Sequence, residues 1–284
     1  MKTEYETYRR IISIEGYIQC IQSVLADWTL GDQKSDVLFR GQSDDYELLP
    51  GIYRRVSSKV YNERSICKYF SALYKNYTNE RFGSESEMFA FMQHYGFPTR
   101  LLDWTENSLL ALYFAIDRVR LIDDVSPVVW ILNSGALNSV THRDLGGITA
   151  FDSPFIMARF KMIEHFDGKN IDQRFFDENN EFKAYQHYME FPLAFFPASS
   201  GNPRLAIQKG VFTIHGTEKT SIEKVFTENE RQSQLLKVEI SKQSIPKIRQ
   251  DLRYLGVTPR SVYPDLEGLQ QEVRDLSLYE KSET

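Results

Sequence analysis

Apolar residues recur every three or four positions in several stretches of the chain, which is the spacing of amphipathic helices. In the first stretch Tyr17, Ile21 and Leu25 follow one another in this way. The pattern predicts helices over residues 13–28, 62–77, 84–95, 107–120, 244–255 and 265–276. The apolar face predicted for the second helix comprises Ile66, Tyr69, Phe70, Leu73 and Tyr77, and that of the third comprises Met88, Phe91, Met92 and Tyr95.

Local signals at the helix ends refine two of these predictions. Ser84 and Glu87 have the spacing of a capping box, and Gly96 is typical of the residue that ends a helix. The helix over 107–120 is almost wholly apolar and needs a polar N-cap. We expect Asp103 or Thr105 to provide it.

Short runs rich in β-branched and aromatic residues predict strands. These strands cover residues 36–41, 127–132, 192–196, 205–215 and 235–240, whereas residues 133–180 read as loops with one or two short helices. Helices come first and most strands later, without a regular alternation of strand and helix. This order predicts an α+β fold, with a helical N-terminal half and a small mixed or antiparallel sheet that forms a cleft.

Charge and cysteine content narrow the classes of protein. The 284 residues include 34 Lys and Arg against 39 Asp and Glu, a net charge of −5 that argues against a protein coating duplex nucleic acid. Cys20 and Cys67 both lie in apolar helical patterns, so a disulfide framework is not expected. Residues 1–10 are polar and the longest apolar stretches are short, so we expect neither a signal peptide nor a membrane-spanning segment. We therefore expect a cytoplasmic protein with no membrane partner.

Recognisable catalytic motifs are absent, including the glycine-rich phosphate loops and the zinc-binding helix motif. The five histidines are scattered without the spacing of metal ligands. No metal is therefore expected.

Three segments carry polar residues that their apolar surroundings do not require. In the first, Arg40 ends an apolar strand and is followed by Gly41 and Gln42. A guanidinium there can bind a phosphate or carboxylate, and the glycine permits close approach of a ligand or a tight turn. The alternative is a structural arginine that pairs with Asp44 or Asp45.

The second segment, residues 93–105, lies between two predicted helices. An N-terminal helix end can receive an anion, although a capping role explains the same polar residues. Trp104 either stacks on a flat ring or packs in the core. The candidate binding residues are His94, Tyr95, Arg100, Asp103, Trp104 and Thr105.

The third segment, residues 202–213, reads as a strand on which Arg204, Ala206, Gln208 and Gly210 share one face. Such a face suits the lining of a cleft. An exposed edge strand would show the same pattern.

Together these segments resemble the FRG domain family, named for its Phe-Arg-Gly motif. The resemblance rests on residues 38–42, 49–50, 94–105, 111–115, 204–213 and 263–268. It implies a single FRG domain over 1–284, with a core of about 13–278, in a protein of bacterial or phage-associated origin.

The chain also resembles mono-ADP-ribosyltransferases of the Arg–Ser-Thr-Ser–Glu type in the order of its motifs. This resemblance implies an ADP-ribosyltransferase-like fold with NAD as the cofactor. Arg40 would bind the pyrophosphate, Thr105 would support the site, and Gln208 would take the place of the glutamate. Gly41, Gln42, His94, Tyr95, Arg100, Trp104 and Arg204 would complete the NAD site.

The neutral Gln208 departs from the transferase pattern because an amide supplies no negative charge to a cationic transition state. Asp103 is a candidate for that charge. Two other classes stay open. One is a non-enzymatic sensing module that binds a nucleotide or a protein, and the other, less expected, is single-stranded nucleic-acid binding through aromatics with Arg54, Arg55, Lys59 and Arg64.

Overall fold

A computed structural model describes residues 7–28, 36–54, 61–120, 122, 124–165, 183, 188–198 and 203–277. Arg55 and Lys59 of the nucleic-acid alternative and Asn202 of the third segment lie outside these ranges, as does most of residues 166–187. Among the described residues, no helix is long and apolar enough to cross a membrane.

The described residues form one open, mixed sheet of eight strands in the order β1-β8-β4-β2-β3-β7-β6-β5. The β1–β8 and β5–β6 pairs are parallel, and the other pairs are antiparallel. The strands are β1 (Thr7–Ile11), β2 (Val37–Gln42), β3 (Leu101–Thr105), β4 (Val128–Asn133), β5 (Thr149–Ala150), β6 (Leu193–Phe196), β7 (Gly210–Ile214) and β8 (Leu235–Ile240).

Helices cover both faces of this sheet, so the predicted α+β class, with helices packed on a mixed sheet, is confirmed. The helices are α1 (Ile14–Trp28), α2 (Glu63–Leu73), α3 (Glu85–His94), α4 (Ser108–Ile116), α5 (Ser134–Thr141), α6 (Pro154–Lys161), α7 (Pro203–Ile207), α8 (Ile222–Glu228), α9 (Ile245–Tyr254), α10 (Pro259–Val262) and α11 (Leu266–Ser277).

Three apolar clusters make the core. The first joins α1, α4 and α9 to strands β1, β2, β4 and β8. The second lies on the opposite face, where α5 and α8 cover residues such as Trp104 and Trp130. The third packs α3 and α6 against β3, β6 and β7. Because α4 and α3 serve different halves of the sheet, a gap opens between them, and the candidate site lies there.

The glycine of the Phe-Arg-Gly motif is explained by helix packing. A Cβ atom on Gly41 would lie 2.0 Å from the carbonyl oxygen of Ala111 and 2.5 Å from the amide nitrogen of Ala115. Only a residue without a side chain lets the backbone of α4 pack this closely on β2. Gly41 therefore fixes the position of α4, which forms one wall of the candidate site.

The local structure differs from the sequence-based prediction in residues 101–107 and 203–214. Residues 101–105 form the strand β3, and the N-cap of α4 is Asn107, whose side chain accepts from the amides of Leu109 and Leu110. Neither Asp103 nor Thr105 caps the helix. The strand predicted over 205–215 is instead α7 followed by β7, so Arg204 and Gln208 do not share a strand face.

The apolar faces of two helices also differ from the prediction. On α2 only Phe70 is buried, whereas Tyr69 and Tyr77 are 68% and 85% exposed. On α3 the buried apolar residues are Phe89, Ala90 and Met92. Half of the predicted capping box is present: Ser84 accepts from the amide of Glu87, but Glu87 itself accepts from Gly83.

Two ion pairs are buried in the core. Arg100 is fully buried and makes a two-point contact with Glu63, in which its Nε lies 2.8 Å from Oε1. Lys237 Nζ lies 2.9 Å from Oδ2 of Asp45. Asp44 Oδ1 accepts from the amides of Asp45 and Ser126, and Arg40 pairs with Asp103 instead. Among the described residues, neither Asp44 nor Asp45 is the partner of Arg40 that the structural alternative required.

The buried carboxyl group of Glu223 makes stability depend on pH. Its Oε1 accepts from the amide of Leu48 at 2.9 Å, while its Oε2 has no partner in the described residues. Burial is the main cause that raises the pKa of Glu223 to about 7, above its ordinary value of 4.5. The folded state therefore binds a proton more tightly than the unfolded state, and its stability decreases as pH rises from 4.5 to 7.

We expect Glu223→Gln to remove this dependence. The difference in unfolding free energy between variant and wild type should grow in favour of the variant by as much as about 3 kcal/mol between pH 4.5 and pH 8. Urea unfolding at several pH values measures it. A difference that does not change with pH would contradict the assignment.

Candidate functional site

A cleft of about 620 Å³ opens where the two halves of the sheet meet. Strands β2 and β3 are paired at a single position, Phe39 with Thr105, and then diverge. The cleft lies beside this point, between α3 and α4. Nine of the eleven predicted site residues line it: Arg40, Gly41, His94, Tyr95, Asp103, Trp104, Thr105, Arg204 and Gln208.

Arg40 lies where the strands diverge. Its Nη1 donates to the carbonyl oxygen of Asp103 at 2.6 Å and lies 3.7 Å from the Asp103 carboxylate. Burial lowers the pKa of Arg40, with Asp103 as the main opposing charge. Within the described residues no other hydrogen bond to its guanidinium is found, and its Nε is buried without a partner. Arg40 thus bridges two strands and keeps donors for a ligand.

Asp103 is the exposed residue of an otherwise buried strand, with its side chain 55% exposed. Its Oδ2 accepts from Nε2 of Gln93 at 2.9 Å. The amide oxygen of Gln93 accepts in turn from Thr99 at 2.5 Å. The carboxylate is therefore held beside Arg40 by a chain of hydrogen bonds.

Thr105 and Gln208 meet across the start of β7. The hydroxyl of Thr105 donates to the carbonyl oxygen of Gln208 at 2.6 Å and accepts from the amide of Asn107. The Gln208 side-chain amide donates to the carbonyl oxygen of Val262 at 3.2 Å. The two residues therefore lie in one cleft and are joined directly by the hydrogen bond from the Thr105 hydroxyl to the Gln208 backbone.

Arg204 contacts the C-terminal segment that forms another wall of the cleft. Its Nη2 lies 2.7 Å from Glu267 and 3.0 Å from Asp265, and its guanidinium stacks 4.6 Å above the ring of Tyr263. Two carboxylates thus compensate its charge. Arg204 lines the cleft as predicted, but its contacts are those of a residue that fixes Tyr263 in the wall.

Aromatic side chains supply much of the remaining lining. Phe82, Phe91 and Tyr95 form a chain of ring contacts, with centroids 5.2 and 4.6 Å apart. His94 packs edge-on against Tyr95, and burial, followed by the nearby charge of Arg204, lowers the pKa of His94. The imidazole is therefore held more strongly in its neutral form than a free histidine.

Two predicted ligand-binding residues lie outside the cleft lining. Gln42 is buried and accepts from the indole nitrogen of Trp130 at 2.9 Å. Arg100 is committed to its buried pair with Glu63. Trp104 borders the cleft but is 3% exposed, belongs to the second cluster and donates from its indole to Thr213 Oγ1. Of the two interpretations of Trp104, core packing is the one observed.

Sequence reasoning missed Gln93, Phe82 and Tyr263 as cleft residues. Gln93 lies in the second polar segment, residues 93–105, but was given no role, and Tyr263 lies in a motif of the FRG resemblance. Phe82 lies in the loop before α3, where no local pattern indicates a site. Tyr263 and Phe82 are distant in sequence from Arg40, and only the tertiary structure brings them to the same cleft.

The cleft combines a guanidinium, a neighbouring carboxylate and several rings. This arrangement suits a ligand with an anionic group and a flat ring. Its volume is in the range of small-molecule sites, about 300–1,000 Å³. Among the described residues, no group of three His, Cys, Asp or Glu side chains is placed to hold a metal ion.

Comparison with known proteins agrees with the sequence motifs. Residues 35–123 match the model of the FRG domain, a range that includes Arg40, Asp103 and Thr105. No curated protein and no solved structure gives a significant match to the chain. The extent of the domain beyond the matched residues, over 1–284, stays a prediction. The chain contains an FRG domain.

Proposed function

We propose that the cleft binds NAD and that the protein acts on it as an ADP-ribosyltransferase-like or NAD-cleaving enzyme. The observation that supports this proposal is the convergence of Arg40, Thr105 and Gln208 on one cleft. These are the residues that the transferase resemblance matches, and they come from three different parts of the chain.

Each residue has a role in this proposal. Arg40 donates to the pyrophosphate, because a guanidinium binds phosphate oxygens through two donors at once. Gln208 accepts from a ribose hydroxyl through its amide oxygen, since its amide nitrogen already donates to Val262. Thr105 fixes the backbone of Gln208. The aromatic wall at Phe82 and Tyr95 packs against a ring of the dinucleotide.

Asp103 supplies the negative charge that Gln208 lacks. Cleavage of the nicotinamide–ribose bond develops positive charge on the sugar, and a nearby carboxylate stabilises it. Asp103 lies in the cleft beside Arg40 with more than half of its side chain exposed. It is therefore the described carboxylate that we assign to this role.

Substituting Arg40 tests the proposal. Lysine keeps the positive charge but loses the fork, so Arg40→Lys should weaken NAD binding about 10- to 100-fold, measured by calorimetry. The matched control is Arg10→Lys, an exposed strand arginine at the far edge of the sheet, which should bind as wild type.

Thermal unfolding separates binding from folding in this experiment. Arg40 also bridges β2 and β3, so part of its effect can be structural. If Arg40→Lys binds NAD more weakly but unfolds at a midpoint temperature within a few degrees of wild type, the result supports a binding role for Arg40. No NAD binding by the wild-type protein at millimolar NAD would refute the proposal.

A non-enzymatic sensing module is the second candidate, and the neutral Gln208 favours it. In that case the wild-type protein binds NAD or another nucleotide without releasing nicotinamide. An effector of a bacterial or phage conflict system would instead consume NAD. Expression that is toxic in the wild type and harmless in the Arg40→Lys variant would identify the enzyme.

A further inference from the structure

A directional chain of hydrogen bonds runs through residues 93–103. The backbone amide of Leu101 donates to Thr99 Oγ1 at 3.1 Å, and Thr99 Oγ1 donates to Gln93 Oε1 at 2.5 Å. Gln93 Nε2 then donates to Asp103 Oδ2 at 2.9 Å. This hydrogen-bond chain begins at the buried turn before β3, where Thr99 is 1% exposed, and ends in the cleft at Asp103.

The direction of this hydrogen-bond chain follows from its last acceptor, because an ionised Asp103 carboxylate requires a donor from Gln93. Because the Thr99 oxygen already accepts from a backbone amide, its own proton is free to go to Gln93. The Gln93 oxygen then accepts, and its NH₂ group must face Asp103. An ionised carboxylate only accepts, so every donor in the chain points toward it.

We propose that Thr99 and Gln93 are positioning residues that set the orientation of the Asp103 carboxylate in the cleft. Oδ2 is held by Gln93 and faces Arg40, which leaves Oδ1 without a hydrogen bond among the described residues. Oδ1 is therefore the oxygen that meets a ligand. This inference rests on the proposed function for its NAD measurement, and its spectroscopic measurement is independent of that function.

Substitutions at Gln93 separate positioning from simple space filling. Gln93→Met keeps the length of the side chain but removes the donor to Asp103. Gln93→Glu keeps an acceptor for Thr99 but turns a second carboxylate toward Asp103, which is repulsive. We expect NAD binding to weaken about tenfold in Gln93→Met and further in Gln93→Glu. A space-filling role predicts equal effects.

Substitutions at Thr99 test the start of the chain. Thr99→Ser keeps the hydroxyl and should bind NAD as wild type, whereas Thr99→Val should resemble Gln93→Met. Thr141→Val is the matched control, because the Thr141 hydroxyl is buried without a hydrogen-bond partner in the described residues. It should leave NAD binding unchanged.

Nuclear magnetic resonance gives a readout that needs no ligand. The side-chain amide signal of Gln93, identified by its loss in Gln93→Met, should show slow proton exchange in the wild type and in Thr99→Ser. In Thr99→Val that protection should fall severalfold. Equal protection in the serine and valine variants would overturn the inference, whatever NAD does.

The NAD-binding measurement and the nuclear magnetic resonance measurement distinguish failure of the proposed function from failure of the positioning inference. If the wild type binds no NAD but the Gln93 signal responds as expected, the proposed function is wrong and the positioning chain stands. If NAD binds and Gln93→Met and Gln93→Glu bind it as wild type does, the positioning inference is wrong and the proposed function stands.

Discussion

Replacing Gly41 with alanine is expected to lower the free energy of unfolding by about 3 kcal/mol, the upper end of the usual cost of overpacking, or to prevent folding. The added Cβ would lie 2.0 Å from the Ala111 carbonyl oxygen and 2.5 Å from the Ala115 amide nitrogen. Both are backbone atoms of α4, so relief requires the helix to move away from β2. Urea unfolding monitored by circular dichroism measures the loss.

Gly51→Ala is the control for this substitution. A Cβ on Gly51 would have its nearest neighbour at 3.8 Å, an ordinary contact. We expect the control to change the free energy of unfolding by less than about 1 kcal/mol. A Gly41→Ala protein as stable as this control would contradict the close packing of α4.

Replacing Arg100 with methionine is expected to cost about 3–5 kcal/mol of stability, because it leaves Glu63 partly buried without its partner. The Glu63 side chain is 9% exposed and receives two contacts from the Arg100 guanidinium. Arg64→Met is the control, because Arg64 is exposed on α2, the helix that carries Glu63. This substitution should change the free energy of unfolding little. Chemical denaturation of both variants gives the comparison.

The double variant Glu63→Gln with Arg100→Met distinguishes a lost pair from lost packing. Removing both charges should restore part of the stability, because neither charge is left uncompensated. If the double variant loses the sum of the two single effects, the pair is not coupled. Any remaining folded Arg100→Met protein should bind NAD as wild type, since Arg100 lies outside the cleft lining.

Much of the secondary structure could be predicted because its signals are local. The apolar spacing in α1, the Ser84 cap of α3 and the β-rich run of β4 each depend on a few adjacent residues. β3 was missed because Asp103 and Thr105 interrupt its apolar pattern. The polar residues of that strand line the cleft. Residues of the candidate site therefore replace the apolar residues from which a buried strand is normally predicted.

The candidate site was predicted unevenly for a related reason. Arg40 follows an apolar run and Arg100 precedes one, and no adjacent residue indicates that their roles differ. Their roles separate only because Glu63, 37 positions away, pairs with Arg100. The sequence predicts either close approach of a ligand or a tight turn at Gly41, whereas the atoms that require a glycine there belong to α4, at Ala111 and Ala115.

The sequence by itself determined the elements that carry strong local signals, such as α1 and β4, the family that the central motifs resemble and the kinds of side chain available for chemistry. These depend on local spacing and on residue type. Only the tertiary structure decided that Arg40, Thr105 and Gln208 share a cleft, and that Arg100 and Trp104 belong to the core. Such assignments depend on contacts between residues distant in the chain, because burial and charge compensation are set by whichever neighbours folding brings together.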